Sequence, residues 1–400
     1  MRLKNNITEI ERKDCTGCGA CQAACPVDCI VMKPDPEGFS CPSLVPEKCL
    51  NCGKCLTVCH TRIAVLNEND LPRSYIVQAK DHEHIKLSSS GGVFAESARY
   101  VIEQLQGVVY GAAFDETMNV VHEKIETTSG IGKLQNSKYV QSRTDHCFEE
   151  IRRFLENHRI VLFSGVPCQV AGLKAYLGKN YPTLLTMDLI CHGVASPEFL
   201  QRSFEELSKQ YDSPIISCLF RTRRGFHAKR TLFRSRIGFQ NGKILERNHS
   251  YDPYYSIYLK GVGFREACYR CRYTSLNRTG DITIGDCDSH NLYPSFCPEY
   301  SNSAVLLNTQ KGIELWEKIS AYFVFQPIDP LREQQCNKQL LSPYPRPLER
   351  DGFYERLKEM TWREVSSGFA RPFTVKARIR NFLTGYLAIA WVAKLKIFFR

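Results

Sequence analysis

The chain lacks long apolar runs and the composition of a disordered polymer: over 400 residues, 43% are hydrophobic, 24% are charged and the mean hydropathy is −0.30. Those values exclude a polytopic membrane protein and a largely unfolded chain. Several signatures of common chemistries are absent as well. No G-x-G-x-x-G follows a candidate strand, and neither a Walker A loop nor a G-x-S-x-G elbow occurs. Standard nicotinamide, P-loop and α/β-hydrolase readings therefore have no motif to rest on. The opening MRLKNNITEIERKDC has no apolar h-region and no small-residue cleavage site, so a reducing, cytoplasmic setting is expected.

Cysteine, in contrast, is abundant. Nineteen occur, ten of them between Cys15 and Cys59. An odd total argues against a pure disulfide framework, and in a reducing compartment clustered cysteines at short regular spacing are metal ligands more often than bridges. Charge is distributed unevenly. Within the net +11, two basic features stand out: residues 371–400, with seven basic and no acidic residues, and Arg221 to Arg247, with nine basic residues and one acidic, Glu246. Residues 1–72 are close to neutral, with eight basic and nine acidic residues.

The first cysteine run reads Cys15-x2-Cys18-x2-Cys21-x3-Cys25-Pro26, and the second Cys49-x2-Cys52-x2-Cys55-x3-Cys59-His60. Three cysteines at x2 spacing let one loop wrap a cube of iron and sulfide, and the fourth reaches across to the neighbouring cube. One cluster is thus expected on Cys15, Cys18, Cys21 and Cys59, and the other on Cys49, Cys52, Cys55 and Cys25. Zinc is the competing reading of four-cysteine sites; two complete runs favour iron and sulfide and resemble a bacterial-type ferredoxin with two 4Fe-4S clusters. Cys29 and Cys41 are expected to be bystanders. A free ferredoxin would end near residue 70, so the module is expected to feed or drain a redox centre in the rest of the chain.

After the Asn67–Pro72 break, apolar runs alternate with amphipathic stretches in a mixed α/β order. Strands are expected at Val108–Phe114, Val120–Ile125, Ile160–Ser164, Leu184–Ile190, Ile215–Phe220, Asp281–Gly285 and Ala304–Asn308. Helices are expected at Gly92–Gln106, Asp145–Asn157, Gln169–Leu177, Pro197–Gln210 and Lys311–Tyr322, and Arg230–Arg247 reads as a hairpin turning at Asn241-Gly242. Ser88-Ser89-Ser90-Gly91-Gly92 precedes a helix, where it serves as a plain cap or as a phosphate site. Cys168, in Gly165-Val166-Pro167-Cys168-Gln169, and Cys191, in Asp188-Leu189-Ile190-Cys191-His192-Gly193, each follow a strand, and adjacent strand ends converge on the ligand edge of an α/β sheet. With Cys268 and Cys271 of Cys268-Tyr269-Arg270-Cys271 they would complete a third 4Fe-4S site.

These motifs, together with the Lys138-Tyr139 segment and Gly280-Asp281-Ile282-Thr283-Ile284-Gly285-Asp286, stand in the order of the coenzyme F420 hydrogenase/dehydrogenase beta subunit family, which the chain resembles over residues 74–340. The resemblance implies an FAD-containing iron–sulfur protein. On that analogy Ser90, Gly91, Gly92, Lys138, Tyr139 and Ser142 would contact FAD, and Cys168, Cys191, Cys268 and Cys271 would hold the cluster beside it. The Asp286-Cys287-Asp288-Ser289-His290 segment departs from the family pattern and leaves the substrate open. Cys287 is a weaker candidate for approaching that cluster.

The expected organisation is a ferredoxin-like two-cluster domain over residues 1–70, a larger α/β domain for FAD and iron–sulfur over 74–340, and a basic, amphipathic helical tail over 341–400. The expected function is electron transfer between ferredoxin-type clusters and FAD, with hydride transfer to or from a small molecule such as a deazaflavin or an anionic sugar intermediate. A non-enzymatic electron-transfer component of a larger complex is the alternative. His192 is the candidate general acid, against a structural role. Ferredoxin or reduced deazaflavin is the expected electron partner, and the Arg221–Arg247 stretch would meet an anionic substrate, an acidic ferredoxin or solvent. Nucleic acid is not an expected partner, because no nucleic-acid motif accompanies the charge. Phe373–Arg400 is too short in its apolar run, Phe382 to Ala393, to span a bilayer. It would lie on the inner membrane surface, pack on the domain, or pack on a second copy of the chain.

Overall fold

In a computed structural model, residues 5–63, 71–222, 233–296, 302–372 and 374–375 are described. The N-terminal module carries a two-stranded antiparallel hairpin, β1 (Ile30–Pro34) and β2 (Ser40–Leu44). It also carries two short helices, Ala20–Ala23 and Lys54–Thr57. Each begins after a glycine in the left-handed region, Gly19 (φ 82°) and Gly53 (φ 74°). A β-carbon at Gly19 would stand 2.3 Å from Thr144 Oγ1 and one at Gly53 2.7 Å from Asn5, so the cysteine repeat needs glycine there on two counts.

The main sheet collects β3 (Arg73–Ala79), β4 (Val108–Phe114), β5 (Val120–Ile125), β6 (Val161–Gly165) and β7 (Leu184–Leu189) from the first half of the chain. A separate three-stranded antiparallel sheet holds β8 (Ile215–Thr222), β9 (Arg234–Phe239) and β10 (Ile244–Asn248). The main sheet then takes β11 (Ile282–Asp286), β12 (Ser303–Leu307) and β13 (Phe323–Ile328), giving the order β13-β3-β12-β11-β7-β6-β4-β5. Its middle, β11-β7-β6-β4, is parallel, and antiparallel strands flank it on both sides.

Alternation along the strands explains the layers. Val109 and Leu162 join Val93, Ala98, Leu315 and Trp316 on one face, under helices Val93–Glu103 and Gln310–Ile319. Val108, Tyr110, Val161 and Phe163 join Phe148, Ile151, Val170 and Leu173 on the other, under helices Cys147–Glu156 and Pro167–Leu177. Strands buried on both faces are rich in apolar residues, which is why the four parallel ones were legible even though β7 and β11 carry Thr186, Asp188 and Thr283. The fold class is mixed α/β, as expected. β4 and β5 coincide with their predicted limits, and β6, β7, β8, β11 and β12 shift by one or two residues.

Beyond the N-terminal hairpin β1–β2, two strands of the main sheet were not expected. β3 has only the short apolar run Tyr75-Ile76-Val77 between Ser74 and Gln78, directly after the Asn67–Pro72 break, and β13 contains Pro327 on a sheet edge with its middle residues exposed. Proline is compatible with an edge strand, which has one unpaired side. The predicted helix Lys311–Tyr322 stops at Ile319 and tightens into a 3-10 turn before β13. The hairpin does turn at Asn241-Gly242, between β9 and β10.

The three-stranded sheet packs with helices Pro197–Tyr211 and Pro253–Leu259 into an aromatic core of Phe199, Tyr254, Tyr255 and Phe264. Phe353, Tyr354 and Leu357 of helix Arg350–Glu359 and Trp362 and Val365 of helix Trp362–Phe369 complete that core. The start of the expected tail is therefore part of the globular body. The remainder of that expectation concerns residues 373–400, of which 374 and 375 alone are described, and residues 223–232 of the basic stretch likewise lie outside the described residues. Among the described residues no helix is long and apolar enough to cross a membrane.

Candidate functional site

β6 and β7 run parallel with Gly165 opposite Asp188, so the residues that follow them, Cys168 and Cys191, leave the same edge of the sheet. The loop 266–271 brings Cys268 and Cys271 to them, and all four line one cavity of about 440 Å³. Burial, and after it the sulfurs of Cys191, Cys271 and Cys268, push the Cys168 thiol well above its ordinary value. Burial and then Cys268 push Cys191 up to about 12, and Cys268 rises to about 11 mainly through burial. Four half-buried thiols whose charged forms repel one another are a donor set that a positively charged metal centre satisfies.

Asp188 holds this arrangement in place. Its carboxylate is fully buried and accepts hydrogen bonds from Arg278 Nη2 (3.2 Å), Thr279 N–H (3.2 Å), Thr279 Oγ1 (3.0 Å), Gly280 N–H (3.0 Å) and Thr283 Oγ1 (2.5 Å). Arg278 in turn donates to Leu189 O (2.7 Å) and to Tyr273 O. The loop after Cys271 is thereby tied to the strand that ends before Cys191.

The N-terminal cysteines fall into two neighbourhoods. Cys25, Cys49, Cys52 and Cys55 line one small cavity. Cys18, Cys15 and Cys59 act together on Cys21, whose thiol is raised foremost by burial. The two expected bystanders stand closer than the spacing suggests. Cys29 Sγ lies 3.3 Å from Cys25 Sγ, and Cys41 bonds to Cys15, lowering that thiol to about 6, while accepting from Arg265 Nη2 at 2.8 Å.

Long-range contacts join this module to the body. Arg265, nearly fully buried, donates Nε to Cys15 O (2.6 Å) and Nη1 to Ser40 O (3.2 Å). Gln141 accepts from Ser40 N–H (2.9 Å), Thr144 Oγ1 donates to Cys18 O (3.0 Å), and Arg272 donates to His60 O and Thr61 O. His60 sits between Thr16 Oγ1 (2.8 Å) and Tyr273 OH (2.6 Å). A β-carbon at Gly172 would lie 2.7 Å from Cys18 Sγ, so the helix that begins beside Cys168 packs directly on the Cys18 loop. No local spacing signals the contacts between module and body, because their partners are 101 to 250 residues apart.

A second cavity, of about 450 Å³, opens on the other side of Cys168 and Cys191, which line both. Ser88, Ser89, Ser90 and Gly92 line it at the start of helix Val93–Glu103, and Lys138, Tyr139 and Ser142 line it from the neighbouring segment. Tyr139 stacks on Tyr255 at 4.9 Å. Ser142 Oγ meets His122 Nδ1 (3.1 Å) and accepts from Gln169 Nε2 (3.0 Å). Lys138 Nζ donates to Lys133 O and Gln135 O, and burial lowers its ammonium to about 7. Gly91 does not line the cavity. Its N–H is bound to Ser303 Oγ (2.9 Å), and a β-carbon there would meet Val77 O at 2.3 Å, so it serves close packing of the turn on β3 and β12. His192 lines both cavities. Cys287 lies apart, bonded to Glu333 and Ser289 and outside the lining of either cavity.

The fold and site define an iron–sulfur protein in which a two-cluster ferredoxin-type module is docked on the ligand edge of an α/β sheet. Residues 158–330 match the family described as the C terminus of the coenzyme F420 hydrogenase/dehydrogenase beta subunit, and residues 14–63 match the 4Fe-4S dicluster domain. The chain thus carries the C-terminal domain of that family behind a dicluster module. Over 75 residues it is 39% identical to the B subunit of the Na(+)-translocating ferredoxin:NAD(+) oxidoreductase complex of Acetobacterium woodii, a stretch that is 19% of this chain and 20% of that protein. The chain therefore spans about a fifth of that relative's length. A chain of the F420-reducing NiFe hydrogenase complex of Methanosarcina barkeri, in its xenon-derivatised structure, aligns with a TM-score of 0.45 at 18% identity, covering 71% of this chain and 91% of that one.

Proposed function

We propose that the protein is an iron–sulfur flavoprotein oxidoreductase that links one-electron carriers to a small molecule able to give or take a hydride. The observation that carries this reading is the wall of thiols formed by Cys168 and Cys191. His60 and Thr61 of the dicluster module line one of the two cavities that these cysteines share; the Ser88–Gly92 turn and Lys138, Tyr139 and Ser142 line the other. Bound clusters would exchange electrons singly and a bound flavin in pairs, so a site holding both can join the two kinds of chemistry.

In this reading Cys15, Cys18, Cys21 and Cys59 ligate one cluster, Cys49, Cys52, Cys55 and Cys25 a second, and Cys168, Cys191, Cys268 and Cys271 a third. Ser90, Gly92, Lys138, Tyr139 and Ser142 hold FAD. The N-terminus of helix Val93–Glu103 favours a phosphate beside Ser88 to Ser90. Tyr139, held by Tyr255 and Tyr258, offers a fixed ring for stacking. His192 is the general acid, because it lines the flavin cavity beside Cys191. Ferredoxin or a reduced deazaflavin is the electron partner. The functional divisions are residues 1–70 for the dicluster, 74–340 for FAD and the third cluster, and 341–400 for the C-terminal segment.

Quantitation of iron, sulfide and flavin after anaerobic purification tests the reading. About twelve irons and one FAD per chain are expected; about eight irons without flavin would refute both the third cluster and the flavin. A second reading, a non-enzymatic electron-transfer component, draws on the names of the matches, which describe parts of larger complexes. Turnover of candidate oxidised substrates by the isolated, dithionite-reduced protein decides for the enzyme, and turnover only after a partner protein is added decides for the second reading.

A further inference from the structure

Arg221, near the end of β8, is 6% exposed and lines the cavity that holds Lys138, Tyr139 and Ser142. Its guanidinium lies over the ring of Phe233 at 3.9 Å, and Nη1 pairs with Asp286 at 3.0 Å. The other edge is different. Nε and Nη2 are buried and have no hydrogen-bond partner among the described residues. Buried donors of a charged group left unpaired are costly and rare. These two belong to the same planar edge, the fork that grips both oxygens of a carboxylate or phosphate.

The surroundings hold that edge in position. Asn136 Nδ2 donates to Arg221 O (2.8 Å), and its Oδ1 accepts from Phe220 N–H (3.1 Å) and Arg221 N–H (3.3 Å). Asn136 itself adopts φ 68°, a left-handed conformation tolerated by asparagine and concentrated at functional sites. It begins the Asn136–Ser142 segment, whose Lys138 lines the same cavity, and the Asp286 carboxylate is met by Nη1, leaving the Nε–Nη2 edge of Arg221 to face an incoming anion.

We propose that Arg221 is the receptor for an oxyanion, the carboxylate or phosphate of a second ligand bound beside the flavin, and that it thereby selects an anionic substrate. This rests on the proposed flavin reading, in which the flavin's own phosphates already have the Ser88–Gly92 turn. Asn136 is its positioning residue.

The test compares the wild type with R221Q, which removes the charge, and R221K, which keeps the charge opposite Asp286 but loses the fork. Inorganic phosphate and acetate are titrated into each protein and read by thermal stabilisation. FAD and riboflavin affinities are read by quenching of flavin fluorescence. The expected result is that anion affinity falls about tenfold or more in both variants, while FAD affinity stays within about twofold. Equal anion stabilisation in wild type and both variants overturns the proposal. So does a loss of FAD affinity in R221Q with riboflavin binding unchanged, which would assign the fork to the flavin's phosphates. If the wild type takes up no FAD, the flavin reading fails, and the anion titration still decides whether Arg221 is an oxyanion receptor.

Discussion

Replacing Asp188 by asparagine removes one charge and almost no volume, which makes it a sharp probe of how the thiol site is built. The carboxylate is 0% exposed and faces Arg278, itself 1% exposed, across 3.2 Å. Taking one partner from a buried ion pair leaves the other charge unmatched, at a cost of about 3–5 kcal/mol. The amide keeps one acceptor oxygen for part of the set made by Thr279 N–H, Thr279 Oγ1, Gly280 N–H and Thr283 Oγ1, so D188N belongs near the lower end. D188A strands those donors as well and belongs at about 5 kcal/mol or above. Against a typical domain stability of about 5–15 kcal/mol, either loss is large. The damage is local: Arg278, Thr279 and Gly280 connect the Cys268–Cys271 loop to β11. Anaerobically purified D188N should therefore show denaturant-induced unfolding at lower midpoint and should lose iron from the body before iron from the dicluster module. Wild-type stability within about 1 kcal/mol, together with unchanged iron content, would refute the role given to Asp188.

Alanine at Cys168 should remove about four irons per chain and leave about eight, measured by iron and sulfide assay; loss of all iron would mean that the module cannot load without the body. R265Q removes a buried cation whose donors reach Cys15 O, Ser40 O and Cys41 Sγ. Because that cation favours the more negative reduced state, the potential of the Cys15 cluster should fall by on the order of 60 mV, the one-electron equivalent of about 1.4 kcal/mol. An EPR-monitored redox titration with no shift would sink that argument. His122 is held at about 4, well below the ordinary 6.5, by burial and by Lys138, against the opposing bond to Ser164 O. The unfolded chain takes up that proton near pH 6.5 and the folded one only near 4, so this contribution is complete above about 6.5 and is lost as pH falls towards 4. H122Q should flatten the stability profile in that window by up to about 1.4 kcal/mol per pH unit. An unchanged slope in chemical denaturation across the window would count against it.

The parts of this protein legible in its sequence are those governed by local spacing. Two C-x2-C-x2-C-x3-C runs determined the two N-terminal sulfur sets, because a loop of that length can wrap only nearby ligands. Apolar-rich runs marked β4 and β6, and β7 and β11 were legible despite the polar Thr186, Asp188 and Thr283 because apolar residues flank each of these. β3 and β13 were hidden because one has a short apolar run between Ser74 and Gln78 beside a break and the other bears Pro327 on an edge. Tertiary structure alone decided how the sites meet. The union of Cys168 and Cys191 depends on β6 and β7 being parallel neighbours, and the approach of Cys18 to that site depends on a helix face at Gly172. The motif containing Asp188 was visible as a string, but its work is to neutralise Arg278, ninety positions later in the chain. Arg221 was one basic residue among nine until the fold buried it with one edge unpaired. Charge and hydrogen-bond satisfaction are properties of a residue's surroundings, and here those surroundings come from segments far apart in the chain.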